Sequence, residues 1–173
     1  PRGVLSVKKH LPLAALAAAA LVLTGCAAGS SGTTSVDDVT WEAGADGIPT
    51  LSFDFPGTTE ATEARSVKAG DGASIEDGNV ITVEYTLTQG TDGTVLSSTY
   101  ELGQQDNIPI DEASLDPALY AVLIESSVGE QIIFATLDQA TPRDESAPES
   151  ANPAVYMAIT IVDVMVPLDA AAG

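Results

Sequence analysis

The chain has 173 residues, with 25 acidic and 6 basic side chains, a formal net charge of −19 and single Cys and His residues. Such an acidic surface repels nucleic acid and anionic lipid head groups, which excludes both as partners of the domain surface. One cysteine cannot form a disulfide within a chain, so packing must stabilise the fold. No acidic run has the spacing of a calcium-binding loop.

Residues 1–25 have the pattern of a bacterial export signal. Lys-Lys-His at 8–10 precedes an apolar run at 11–23 that is too short to span a membrane as a mature helix. The run ends in Leu-Thr-Gly-Cys, which resembles the lipobox of bacterial lipoproteins, in which the Cys becomes the first mature residue and carries acyl chains such as palmitate. The alternative is a plain signal peptide or an unusual membrane anchor that contains a chance Cys. The pattern predicts a lipid anchor on Cys26 and a location on the outer face of the bacterial cytoplasmic membrane.

Removal of this signal would leave a mature chain without His or a free thiol. That chain has no means to run a Ser-His-Asp or Cys-His mechanism. It also lacks the imidazole and thiolate ligands of most zinc sites. We therefore expect no metal and no other cofactor.

Residues 26–47 are rich in Gly, Ser, Thr and Ala, which predicts a flexible tether between lipid and domain. Trp41 within it is either a first docking residue, which we favour, or an exposed aromatic. From Ile48 onwards the pattern changes to β. Apolar residues alternate with polar ones over residues 51–55, and a Pro-Gly pair at 56–57 ends the strand.

The clearest strand covers residues 80–88, with Val83, Tyr85 and Leu87 on one face. The segment Gly-Thr-Asp-Gly that follows is a strong hairpin signal. It predicts a second strand at about residues 94–101.

One helix is predicted at residues 118–125, because Asp116 is a typical N-cap and Pro117 suits the first helical turn. Two long β runs follow, at residues 130–137 and 155–166. Their connection at 138–153 contains three prolines and several charges, so we expect a surface loop.

About six strands and one short helix predict an α+β domain with an antiparallel sheet folded around the helix. We assign it to residues 48–166, followed by a C-terminal tail at 167–173. The strand pattern occurs once, which predicts one such domain.

The order of these pieces resembles FKBP-type peptidyl-prolyl cis-trans isomerases, in the lipoprotein form of Gram-positive actinobacteria. Residues 70–86 contain the family's Gly-Asp-Gly entry, an acidic turn and V-x-V-x-Y-T; residues 92–99 are similar to its D-G-x-x-F-D-S-S. Residues 128–129 and 152–164 are similar to the S-V-G after the helix and to the final strand. The resemblance implies an FKBP-like antiparallel sheet of about 5–6 strands wrapped around one short helix.

The resemblance also implies an apolar pocket for a proline ring, with no covalent catalyst. The positions that match the family's pocket are Tyr85, Leu96, Ser97, Leu115, Asp116, Leu119, Tyr120 and Met157, with Tyr156 replacing Met157 if the register slips. A backbone N–H of the segment at 115–116 is the expected donor to a substrate carbonyl. Leu96 and Ser97 replace the family's Phe-Asp pair, and residues 138–152 hold no counterpart of its A-Y-G loop.

Three functions follow from these patterns. The first is a membrane-anchored prolyl isomerase that assists the folding of exported proteins, takes proline-containing polypeptides as clients and has weak turnover because pocket aromatics are missing. The second is a catalytically inactive FKBP-like lipoprotein that acts as a chaperone or protein-binding module. The third is a lipoprotein that captures small solutes.

Overall fold

The computed structural model describes residues 34–139 and 152–167, all within one unit of the chain. The predicted signal, Cys26, most of the loop at 138–153 and nearly all of the tail lie outside the described residues. The elements are β1 (Thr40–Ala43), β2 (Pro49–Ser52), β3 (Glu63–Lys68), β4 (Val80–Gln89), β5 (Val95–Ser98), α1 (Thr99–Leu102), β6 (Asp106–Pro109), α2 (Pro117–Leu123), β7 (Gln131–Leu137) and β8 (Ala154–Met165).

A six-stranded antiparallel sheet forms the centre of the fold. Its strand order is β3-β7-β8-β4-β5, and β6 pairs with the first half of β4, beside β5. β1 and β2 form a separate antiparallel hairpin. The predicted α+β class is therefore confirmed, but the described residues hold eight strands and two helices where about six strands and one helix were expected.

Helix α2 covers one face of the sheet. The Asp116 carboxylate caps it by accepting a hydrogen bond from the Ala118 N–H at 2.9 Å, and Pro117 occupies the first turn, as predicted. Leu119 and Leu123, four residues apart, point to the sheet and are buried. They pack in a first core with Ile75, Ile81, Val83, Ile110, Ile132, Phe134, Ile159 and Ile161.

The N-terminal segment covers the opposite face of the sheet. Val36, Val39 and Phe53 are buried there against residues of β7 and β8, forming a second core with Ile133, Ala135, Ala154 and Tyr156. Arg65 holds this segment in place, because its guanidinium donates to the Val36 carbonyl at 2.9 Å and to the Val39 carbonyl at 2.6 Å.

Residues 34–47 therefore do not form the flexible tether that was predicted for 26–47. Trp41 does pack against the second core, as expected. Composition alone suggested a linker, since the segment has few large apolar residues. β7 and β8 are apolar on both faces, and the buried residues Val36, Val39 and Phe53 cover the face that α2 does not.

Two other boundaries differ from the prediction. The strand expected at about 94–101 ends at Ser98, because the chain turns into the short helix α1 and Thr99 bonds back to β4. The alternation at residues 51–55 also stops early: β2 ends at Ser52, Phe53 is buried and Phe55 is 60% exposed. Within the described residues, no helix has the length and apolar character needed to cross a bilayer.

Candidate functional site

Five of the eight predicted pocket residues lie together on the face of the sheet covered by α2. Leu119 is 8% exposed and belongs to the first core, and four partly buried side chains pack against that core around it. These five residues, which we call the α2-face site, are Tyr85, Leu115, Leu119, Tyr120 and Met157.

The strand registers explain why these residues meet. Tyr85 follows Val83 by two residues in β4, so both side chains point to the α2 face. Met157 pairs with Phe134 of the first core and with Leu87 of β4. The site therefore spans β4, β8 and the start of α2.

The alternative assignment of Tyr156 is wrong, because its side chain lies on the other face of the sheet. It is fully buried in the second core, and its hydroxyl donates to the Thr34 carbonyl at 3.3 Å. Met157 is the residue of this strand that faces α2. Tyr156 and Met157 are adjacent in β8, and successive side chains of a strand point to opposite faces. A register shift of one residue would therefore exchange them.

Leu96 lies apart from the α2-face site. It occupies a β-bulge in β5, where the pairing shifts from Leu87 with Ser97 to Thr88 with Val95, and it is 48% exposed. Ser97 is partly buried opposite Leu87 at the edge of the sheet.

Tyr85 is held at both its backbone and its side chain. Thr99 Oγ1 accepts from the Tyr85 N–H at 2.8 Å and donates to its carbonyl at 3.3 Å. Burial raises the pKa of the Tyr85 phenol, and the nearby carboxylate of Asp106 raises it further. Asp106 was missed by the sequence analysis, because its short strand β6 has no alternating apolar pattern; only pairing of Asp106 with Val83 reveals the contact.

Tyr120 borders the opposite end of the site. Its hydroxyl donates to Asp77 Oδ1 at 3.1 Å. Partial burial and the nearby carboxylates of Asp77, Glu112 and Asp111 raise the pKa of this phenol. Hydrogen bonds from the Ser114 hydroxyl and a neighbouring backbone N–H lower the pKa of Asp111, which keeps that side chain ionised.

A backbone donor is available between these side chains. Among the residues that the structure describes, none accepts a hydrogen bond from the Asp116 N–H, whereas the Leu115 N–H donates to the Asp111 carbonyl at 3.1 Å. The Asp116 residue is partly exposed beside Leu115 and Leu119. Its N–H can therefore bind a carbonyl group presented to the site.

The arrangement favours binding of an apolar ring rather than bond-breaking chemistry. It combines an aliphatic floor, two phenols held by carboxylates and one free backbone donor. Within residues 34–139 and 152–167, no group of three or more His, Cys, Asp or Glu side chains has the geometry to hold a metal ion.

No protein-family model matches the sequence, and no curated protein matches it. Among solved structures, the chain is similar to the crystal structure of FkpA from Escherichia coli, with 17% sequence identity and a TM-score of 0.44. The similarity covers 73% of this chain and 52% of that one, so this chain spans about half the length of FkpA.

Proposed function

We propose that this protein is a membrane-anchored FKBP-type prolyl isomerase that binds proline-containing segments of exported proteins at the α2-face site. The observation that carries the proposal is a partly exposed apolar group of Tyr85, Leu115, Tyr120 and Met157 beside the unpaired Asp116 N–H. The sequence resemblance at residues 70–86 supports it independently.

Such a site suits rotation about the bond that precedes proline. The barrier is about 20 kcal/mol because the planar amide is stabilised by resonance. The twisted imide is less polar than the planar one, so apolar surroundings favour it. The Asp116 N–H would hold a substrate carbonyl while the ring lies against Tyr85 and Leu119. No nucleophile is required.

Weak turnover is expected, because aliphatic side chains stand at positions that are aromatic in the family. Leu96 replaces the family's Phe and is 48% exposed at the sheet edge, and the family's aromatic pocket floor falls near Leu119 or Tyr120, of which only Tyr120 is aromatic. Each missing aromatic contact removes on the order of 1 kcal/mol of binding. This favours, as the second candidate, a module that binds proline segments without turnover.

A protease-coupled assay on a proline-containing peptide tests the proposal with the full chain in non-ionic detergent. We expect a rate above the uncatalysed one, abolished by an FKBP-directed macrolide. Tyr85→Leu should reduce kcat/KM about two- to tenfold, since an aromatic contact at the ring is lost. Tyr100→Leu is the matched control, because Tyr100 contacts the face of the sheet opposite to α2. Its hydroxyl donates to Thr160, which pairs with Glu84. Glu84 precedes Tyr85 in β4, so its side chain points to the face that Tyr85 does not.

Peptide binding without turnover, lost in Tyr85→Leu, would support the binding module instead. Equal effects of the two substitutions would show that the α2-face site does not carry the activity. Circular dichroism of both variants would verify that they are folded.

The lipid anchor is proposed from the motif that ends at Cys26. In a bacterial host that grows with an alkyne-labelled palmitate analogue, the chain should be labelled and sediment with membranes. Cys26→Ser should abolish both, with Ser30→Ala as the control that retains them. Secretion of an unlabelled, processed chain would show that residues 1–25 are a plain signal peptide.

A further inference from the structure

We propose that the α2-face site selects segments in which a lysine or arginine immediately precedes the proline, and that Asp106 is a specificity-determining residue. This inference rests on the proposed function and names its substrate class. It follows from the position of one carboxylate and from the charges around the site.

Asp106 lies beside the residue that we place under the proline ring. In the pairing of β4 with β6 it stands opposite Val83, so its side chain shares the face of Val83 and Tyr85. This carboxylate is close enough to the Tyr85 phenol to raise its pKa. Asp106 is exposed, and its two oxygens offer about four acceptor positions, which leaves room for a cationic side chain.

The other charges near the site have the same sign. Asp77, Asp111 and Glu112 surround Tyr120, and Asp77 bonds to its hydroxyl. Both ends of the site are therefore bordered by carboxylates. A cation on the bound segment would be attracted at either end, and an acidic side chain would be repelled.

Basic residues of the described chain lie too far from Tyr85 and Asp106 to compensate at that end of the site. They are Arg65 and Lys68, both in β3, which β7 and β8 separate from β4. Three strand spacings correspond to about 14 Å. This exceeds the screening length of about 8 Å at physiological salt. Arg65 is also engaged by two backbone carbonyls and by Asp37 at 3.5 Å.

Three otherwise identical peptides test the preference with the full chain in non-ionic detergent. The residue before proline is lysine, N-acetyl-lysine or glutamate, so the first pair differs only in charge. We expect kcat/KM for lysine to exceed that for N-acetyl-lysine about two- to fivefold at low salt, with glutamate lowest. The differences should nearly disappear at about 0.5 M salt, where the screening length is a few ångströms.

Asp106→Asn then tests the assigned residue, because the side chain keeps its size and an acceptor oxygen while the charge is removed. The ratio of lysine to N-acetyl-lysine should fall towards one. Asp54→Asn makes the same charge change on the exposed N-terminal segment and should leave the ratio unchanged. A general loss of activity would lower kcat/KM for both peptides alike and leave their ratio unchanged, so the ratio reports selectivity alone.

The possible failures are distinguishable. If no peptide is turned over or bound, as judged by fluorescence anisotropy of labelled copies, the proposed function is wrong and this inference with it. If all three are turned over or bound equally, the function stands and the selectivity is refuted. A ratio that Asp54→Asn and Asp106→Asn reduce alike would refute the role of Asp106.

Discussion

Gly57 packs so closely on the second core that a single added methyl group should destabilise the domain. In Gly57→Ala, the new Cβ would stand 2.6 Å from Tyr156 Cε2, 2.8 Å from the Tyr156 hydroxyl and 3.0 Å from Phe53 Cε2. Favourable carbon contacts lie at about 3.5–4.0 Å. The backbone has little freedom to retreat, because the Gly57 N–H donates to the Gly90 carbonyl at 2.7 Å and its carbonyl accepts from Ala154 at 3.1 Å.

The magnitude follows from two opposing effects. Overpacking of a core costs about 1–3 kcal/mol. Gly57 does not have a positive φ, so alanine should also recover about 0.4–1 kcal/mol by restricting the unfolded chain. The middle values of these two ranges differ by about 1.3 kcal/mol, so we expect a net loss in the free energy of unfolding of about 1–2 kcal/mol.

Urea denaturation measures this loss. With a slope near 2 kcal/mol/M, the midpoint should fall by about 0.5–1 M without a change of slope. Tyr156→Phe removes the hydroxyl that the new Cβ would meet. The loss in the free energy of unfolding of the double variant should therefore be smaller than the sum of the two single losses, by at least about 0.5 kcal/mol. A Gly57→Ala protein as stable as the parent would refute the packing of the N-terminal segment on β8.

Three further outcomes are expected. Asp116→Ala removes the carboxylate that accepts from the Ala118 N–H and should reduce the free energy of unfolding by about 0.5–2 kcal/mol in thermal melts, whereas Asp116→Asn retains a cap and should lose less. Equal losses would contradict capping by this side chain. Burial raises the pKa of the Tyr156 phenol, and nearby carboxylates contribute less. The folded state therefore keeps the phenol proton at a pH where the unfolded state releases it. The free energy of unfolding should fall as the pH rises above about 10. In Tyr156→Phe, urea midpoints measured against pH should decline less steeply above that pH. An unchanged decline would mean that other groups cause the loss of stability. Leu96→Phe with Ser97→Asp restores the pair expected from the family, but the bulge keeps position 96 away from the α2-face site, so kcat/KM in the protease-coupled assay should not change. A rise of about two- to tenfold would show that an aromatic side chain at this edge reaches the substrate.

Local sequence signals predicted the elements that depend on few long-range contacts. The alternation in β4 identified a strand that the structure has at Val80–Gln89. Asp116 and Pro117 identified the start of α2 to within one residue. These signals are strong because capping and strand periodicity act between residues close in sequence.

Elements that exist because of a distant partner were not predicted. β6 has the sequence Asp-Asn-Ile-Pro, without a strand pattern, and forms because the first half of β4 needs a neighbour beyond the reach of β5. β1 lies in a segment with a composition typical of a linker, whereas β2 overlaps the predicted strand at 51–55. The order of the β1–β2 hairpin comes from the second apolar face that β7 and β8 present together.

The candidate site also has a part that the sequence predicted and a part that only the strand pairing revealed. Tyr85, Leu115, Leu119, Tyr120 and Met157 were named from the sequence and do lie together. Only the register of β8 distinguished Met157 from Tyr156, and only the bulge in β5 removed Leu96 from the group.

The amino-acid sequence by itself determined the acidic charge balance, the α+β class and the apolar residues that can form a binding surface. The tertiary structure alone decided which side chain of each strand faces α2, and it brought Asp106 to Tyr85. The physical reason is that pairing registers are set by the summed burial of both sheet faces, and a shift of one residue exchanges the faces.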